Sequence, residues 1–133
     1  MLSAYIPEGA LPKYFLFVST LAFFNSAQCF LSPFKFNRRI YDQQPQEVTG
    51  LAGRLFAVWT FTSGIVRAYA AYNIHDKTIY HMTFLTYVLA FFHFNTEIFY
   101  FKTARINAGT IGPMIISTLS MIWMWKSYGY YIH

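Results

Sequence analysis

Four apolar stretches, residues 14–32, 51–72, 80–101 and 109–125, take up most of a chain of 133 residues. Each approaches the roughly 20 helical residues needed to cross a hydrocarbon core of about 30 Å. What is left is an N-terminal arm, a polar loop over 33–50, two short connections and a brief tail, and no aqueous domain fits in that remainder. In a soluble domain such runs would be core helices, yet four in succession leave no amphipathic helix to cover them. The runs are continuous rather than alternating, which excludes the pattern of a membrane barrel. The expected fold is therefore all-α: a single polytopic domain over residues 1–133, built as a four-helix transmembrane bundle.

Charge agrees with that reading. Only 11% of residues are charged, against about one quarter in soluble proteins. The net charge of +5 suits anionic lipid head groups. Basic residues occur singly rather than as a patch, so nucleic acid is not an expected partner. Cys29 is the only cysteine and lies inside the first stretch, where it is expected to pack rather than react. That stretch is too long for a signal-peptide core and lacks a small-x-small cleavage site, so it reads as a retained helix.

Punctuation sets the expected boundaries. Pro7 and Pro12 separate the arm from the first helix, and Pro33 ends it. Thr49 is placed to cap the second helix. Gly53–Ala57 and Thr60–Gly64–Ala68 give that helix small residues every four positions. This spacing lets backbones approach closely, within the chain or against another protein. Pro113 is expected in the first turn of the fourth helix. Trp123, Trp125, Tyr128, Tyr130 and Tyr131 cluster at the far end of that helix as an interfacial aromatic belt. An even number of crossings puts both termini on one side. Lys35, Arg38, Arg39, Lys102 and Arg105 then fall on the other, which the positive-inside rule assigns to the cytosol.

Polar residues inside the stretches need partners or roles. Asn25, Ser26 and Gln28 form an island in the first helix, expected to hydrogen-bond to neighbouring helices. Arg54 and Glu97 lie about one turn inside facing helix ends, at matched depth, which predicts an ion pair. His93, four residues before Glu97, shares its face, making Arg54, His93 and Glu97 a structural polar clamp. A competing reading makes His93 and Glu97, with His81, metal ligands or an acid/base pair. Arg67 is expected to snorkel to the head groups or to reach Asp76. The loop residues Lys35, Arg38 and Arg39 are candidates for docking a partner. His75, His81, His93 and His133 form no histidine box, and phosphate-loop, dinucleotide and Ser–His–Asp patterns are absent. No catalytic, cofactor-binding or metal residue is therefore assigned.

Four segments in order carry a resemblance: LPKYFLFVS with FNSAQ, GRLFAVWTFTSGIVR, FHFNTEIFYF and GPMIISTLSMIWMWK. Together they resemble the fungal ergosterol biosynthetic protein 28 family from about residue 11 to 131. Asn25, Gln28, Arg54, Trp59, Thr60, Arg67, His93, Glu97, Gly112 and Pro113 fit that family's pattern. The resemblance implies a non-catalytic scaffold of the endoplasmic-reticulum membrane that tethers three enzymes of ergosterol biosynthesis. These are the sterol C-4 methyl oxidase, the C-4 decarboxylating dehydrogenase and the 3-keto sterol reductase. Membrane lipid, sterol and a second copy of the chain are further candidate partners. Residence in the endoplasmic reticulum is implied by the resemblance alone, since the tail shows no dilysine-type signal. The alternatives are a small transporter or channel, or a metal- or haem-dependent membrane enzyme subunit using His93 and Glu97.

Overall fold

Three of the four long helices begin where a side chain can satisfy their free N–H groups. The computed structural model describes residues 6–32 and 38–132. Among these, α1 spans Ala10–Leu31, α2 Gly50–Tyr72, α3 Lys77–Phe99 and α4 Ala108–Tyr131, with a 3-10 turn at Pro45–Glu47. Thr49 caps α2 by accepting from Ala52 N at 3.1 Å, and Asp76 caps α3 by accepting from Ile79 N at 3.1 Å. Asn107 caps α4 in a reciprocal box with Thr110.

Two prolines sit differently from expectation. Pro12 lies inside the first turn of α1, where its missing N–H has no helical partner to lose. Pro113 falls in the second turn of α4, where the N–H it lacks would have paired with the Gly109 carbonyl. α4 runs on past residue 125, so that Tyr128, Tyr130 and Tyr131 are helical rather than part of a tail. Pro33 and Lys35 lie outside the described residues.

Small residues decide how α1 meets α2. Ser19, Ala22, Ser26 and Cys29 are buried along one face of α1, and Gly53, Ala57 and Gly64 along the facing side of α2. Ser26 Oγ donates to Ala57 O at 2.7 Å, and Cys29 Sγ to Gly53 O at 3.0 Å. A Cβ on Gly64 would lie 2.8 Å from Phe23 Cε1 and 3.2 Å from Ala22 Cβ. The small-residue spacing of α2 thus serves packing within the chain.

The helices then follow one another in an antiparallel circuit, α2 against α3 and α3 against α4. Tyr14 closes the circuit from α1 to α4, with its hydroxyl 2.6 Å from Ser120 Oγ and its ring stacked at a tilt on Trp123. Leu11, Phe15, Ala70, Tyr80, Tyr87, Met124 and Tyr131 form the apolar core, gathered toward the end that holds the chain termini and the α2–α3 turn. There His75 Nδ1 lies 2.8 Å from Tyr131 O. At the other end the two longer connections are tied together. Gln43 N donates to Thr103 O at 3.0 Å, and Asp42 Oδ2 accepts from Arg105 Nε at 3.0 Å and Asn107 Nδ2 at 3.1 Å. Gly109 sits so close to this junction that a Cβ there would lie 2.9 Å from Arg39 O.

The described residues are helical without strands, as the apolar runs predict. Only α1 among them is both long and apolar enough to count as a membrane span on composition. α2 and α3 include Arg54, Arg67, Lys77 and Glu97 within their lengths, and α4 includes Lys126.

The α1–α2 seam makes a direct prediction. Gly64→Leu is expected to wedge the helices apart and cost about 1–3 kcal/mol, whereas Gly64→Ala brings a single methyl against the Phe23 ring and the Ala22 methyl and is expected to cost less. Thermal unfolding of the purified chain in mild detergent should show the leucine variant melting clearly below the alanine one. Equal melting temperatures would rule out a close seam.

Candidate functional site

One face of α2 carries Phe56, Trp59, Thr60, Ser63 and Arg67, spaced so that all look toward the bundle interior. They line a cavity of about 410 Å³ between all four helices. α1 contributes Val18, Leu21, Ala22, Asn25 and Gln28; α3 contributes Tyr87, Ala90 and Phe94; α4 contributes Gly109, Gly112, Pro113, Ile116 and Ser117. By helical rise, the lining face of α2 extends about 16 Å. The cavity is thus long and narrow, with Arg67 toward the termini end and Arg39 and Gly109 at the loop end. Its size is that of an ordinary small-molecule site.

Arg67 is the outstanding group. Its residue is 8% exposed, so it neither snorkels to the surface nor reaches Asp76, which is occupied in capping α3. Its Nε donates to Thr86 Oγ1 at 3.3 Å, and its guanidinium carbon lies 4.1 Å from the centre of the Tyr87 ring. A cation over an aromatic face recovers part of the desolvation cost. No carboxylate pairs with it: the ion pair found among the described residues joins Arg105 to Asp42. Tyr87 is fully buried, and its hydroxyl makes no well-formed hydrogen bond among the described residues.

The polar island of α1 does not find helix partners as its composition predicts. Ser26 bonds across to α2, but Asn25 and Gln28 line the cavity, and their side chains make no hydrogen bond among the described residues. The same holds for Thr60 and Ser63. Of these four, Ser63 is buried, Asn25 and Thr60 are half-buried and Gln28 is exposed, so the cavity wall presents polar groups open to an occupant or to water.

The expected clamp is not assembled. Arg54 is exposed on the outward stripe it shares with Val58, Phe61 and Ile65. Glu97 instead closes the end of α3, its Oε1 accepting from Thr103 Oγ1 at 2.8 Å and its carbonyl from Thr103 N at 2.9 Å. The two residues match in depth but not in direction around their helices. His93 packs edge-on against Trp59 and Tyr41, and its Nε2 is hydrogen-bonded to the Tyr41 hydroxyl. Burial, reinforced by the nearby Glu97 charge, pushes the Tyr41 phenol well above its usual range, so it keeps its proton at neutral pH.

His93 and Glu97 do share the lining of a second cavity of about 340 Å³, with Tyr41, Glu47, Trp59 and Thr103. Among the described residues no group of three or more His, Cys, Asp and Glu side chains is arranged to hold a metal. His81 lies apart, stacked on Tyr128. Arg38 and Arg39 are exposed beside the tied loops, and Arg39 also borders the larger cavity. Partial burial opposes ionisation of Asp42, but hydrogen bonds from Gln43, Arg105 and Asn107 and the Arg105 charge outweigh it and hold the carboxyl below its usual range. The loop tie is therefore complete at neutral pH and is lost only as pH falls below about 4 and through the depressed value.

Tyr87, Ser63, Ser117 and Tyr41 were not singled out by sequence. A signal for Ser63 was present: Trp59, Thr60, Ser63 and Arg67 fall on one helical face, opposite the apolar stripe of Val58, Phe61 and Ile65. Tyr87 and Tyr41 carry no such mark, because an aromatic residue in an apolar run reads as packing.

A family model described as Erg28 like protein matches residues 11–122. The chain belongs to that family. It is 39% identical to the ergosterol biosynthetic protein 28 of Saccharomyces cerevisiae, over 96% of this chain and 86% of that one. Identity to the protein of the same name from Schizosaccharomyces pombe is 41%, over 92% of this chain and 89% of that one. The human ergosterol biosynthetic protein 28 homolog is 34% identical over 87% of this chain and 83% of its own length. No solved structure matches the chain.

Because Arg54 and Glu97 are apart, their substitutions should be independent. Arg54→Leu is expected to leave the melting temperature near that of the native chain, and Glu97→Ala to lower it through the lost Thr103 bond, by about 1 kcal/mol. The double variant should equal the sum within about 0.5 kcal/mol. A larger coupling, measured in the same detergent, would restore the ion pair.

Proposed function

We propose that this chain is a non-catalytic, membrane-embedded scaffold of ergosterol biosynthesis. It resides in the endoplasmic-reticulum membrane and crosses it with all four helices. It holds together the sterol C-4 methyl oxidase, the decarboxylating dehydrogenase and the 3-keto sterol reductase. The observation that carries the reading is family membership with relatives named for ergosterol biosynthesis, over nearly the whole chain.

The outer surface supports the membrane part. Every helix turns large apolar side chains outward, including Phe24 at 62% exposure on α1, Leu55 at 60% on α2, Phe92 at 64% on α3 and Trp125 at 77% on α4. Such a surface all round the molecule far exceeds the patches that soluble monomers show. Lipid is the solvent it suits. In lipid, the continuous helices satisfy their own backbone groups apart from the turn interrupted by Pro113.

The scaffold part rests on effective concentration. Successive enzymes held on one small bundle exchange a poorly water-soluble intermediate over a short path. The tied loops offer the aqueous surface for this, with Arg38, Arg39, Lys102 and Arg105 on one end of the bundle. The positive-inside rule turns that end to the cytosol.

Capture from native membranes in mild detergent tests the reading. The three C-4 demethylation enzymes are expected to accompany the chain in stoichiometric amount. Replacing Lys35, Arg38 and Arg39 with glutamine should reduce that recovery while leaving the chain abundant. A chain that arrives alone, with the enzymes still assembled elsewhere, would overturn the proposal.

A further inference from the structure

The larger cavity holds an arrangement that tethering does not require. A scaffold could be held by helix seams and loops alone, yet this bundle buries a permanent cation, Arg67, beside an elongated hollow. An unpaired buried arginine is costly wherever it occurs, and more so in lipid. Here it leans on Tyr87 and Thr86, and no carboxylate of the described residues answers its charge.

The surroundings narrow what would answer it. The cavity walls near Arg67 and along its length are mostly apolar, from Val18, Leu21, Ala90, Phe94 and Ile116. Between them stand Asn25, Thr60 and Ser63 with unused hydrogen-bonding groups. The site thus offers one buried charge, Arg67, at its termini end, an apolar shaft about 16 Å long by helical rise with a few polar points along it, and at the far mouth Arg39, which is exposed and answered by water. A free inorganic anion would leave the shaft empty, and a neutral sterol would leave the guanidinium unanswered. The complementary occupant is a long, rigid, apolar molecule with a single carboxylate.

We propose that this cavity binds a sterol bearing a carboxylate at one end, its acid group on Arg67 and its ring system between α1, α2 and α4. Guanidinium and carboxylate meet in a two-point contact that lysine or a neutral amide reproduces poorly. The choice of a sterol body rests on the scaffold reading given above. Within that reading the chemistry is consistent. A methyl group that is oxidised and then lost as carbon dioxide passes through a carboxylate, which one enzyme must release and the next must accept. A tether with its own acid-reading cavity would hold that species between the two.

The full chain, purified in dodecyl maltoside, is titrated with cholesteryl hemisuccinate, cholesterol and oleate, following displacement of tritiated cholesteryl hemisuccinate. The hemisuccinate is expected to bind about tenfold or more tighter than cholesterol, the scale of a charge-assisted contact, and tighter than oleate. Arg67→Gln should remove the advantage over cholesterol, and Arg67→Lys should retain part of it. Ser63→Leu, which fills the middle of the cavity without touching the charge, should abolish binding with helix content unchanged, and so covers the case in which Arg67→Gln fails to fold. Equal binding of cholesterol, equal binding of oleate, a water-filled cavity with no binding at all, or Ser63→Leu that binds like the native chain would each overturn the proposal. The partner enzymes play no part in this measurement, so its failure is distinct from failure of the scaffold reading, which rests on their capture.

Discussion

Helices whose outer sides stay apolar along their whole length are held to one another by close fit and directed hydrogen bonds rather than by burial of apolar surface alone. The seam between α1 and α2 meets that demand. Gly53, Ala57 and Gly64 bring the α2 backbone near enough for Ser26 and Cys29 to donate to its carbonyls. With these two helices fixed, the outward direction of Arg54 and the inward direction of Arg67 follow from helical geometry alone. They are thirteen residues apart in sequence and face opposite environments.

The rest of the molecule divides by how its space is filled. At the termini end, large side chains close the bundle, with Phe15 against Tyr87 and Tyr80 donating to Met124 O at 2.6 Å. At the loop end, closure comes from polar ties through Asp42, Thr103, Arg105 and Asn107. Between the two, glycine and proline in α4 face small and polar residues of α1 and α2, and the space stays open. A packed interior tolerates few voids. An elongated one with a buried cation at one end stands out against that close packing.

Part of the fold was legible in the residues, and the limits of that legibility are physical. The run lengths announced four helices, and Thr49 announced the start of α2, because apolarity and capping are local properties. Pro12 does not mark the boundary that its residue type suggests, because a proline's effect depends on its place in the turn, which shifts with a start four residues earlier. The Arg54–Glu97 pairing illustrates a deeper limit. Counting residues from a helix end gives depth, but the rotation of one helix against its neighbour is set by which side chains pack, and here the small residues of α2 had already turned Arg54 outward.

The sequence by itself determined the helical class, the apolar exterior, the family and the presence of ionisable groups within otherwise apolar helices. These follow from composition and spacing, which the chain carries wherever it folds. Only the tertiary structure decided what those groups meet. It assigned Glu97 to the end of α3, His93 to Tyr41, and Asn25, Gln28 and Arg67 to one cavity. The reason is that a partner across the bundle lies tens of residues away in the chain, and the angle at which two helices face each other is written in their contacts rather than in either helix alone.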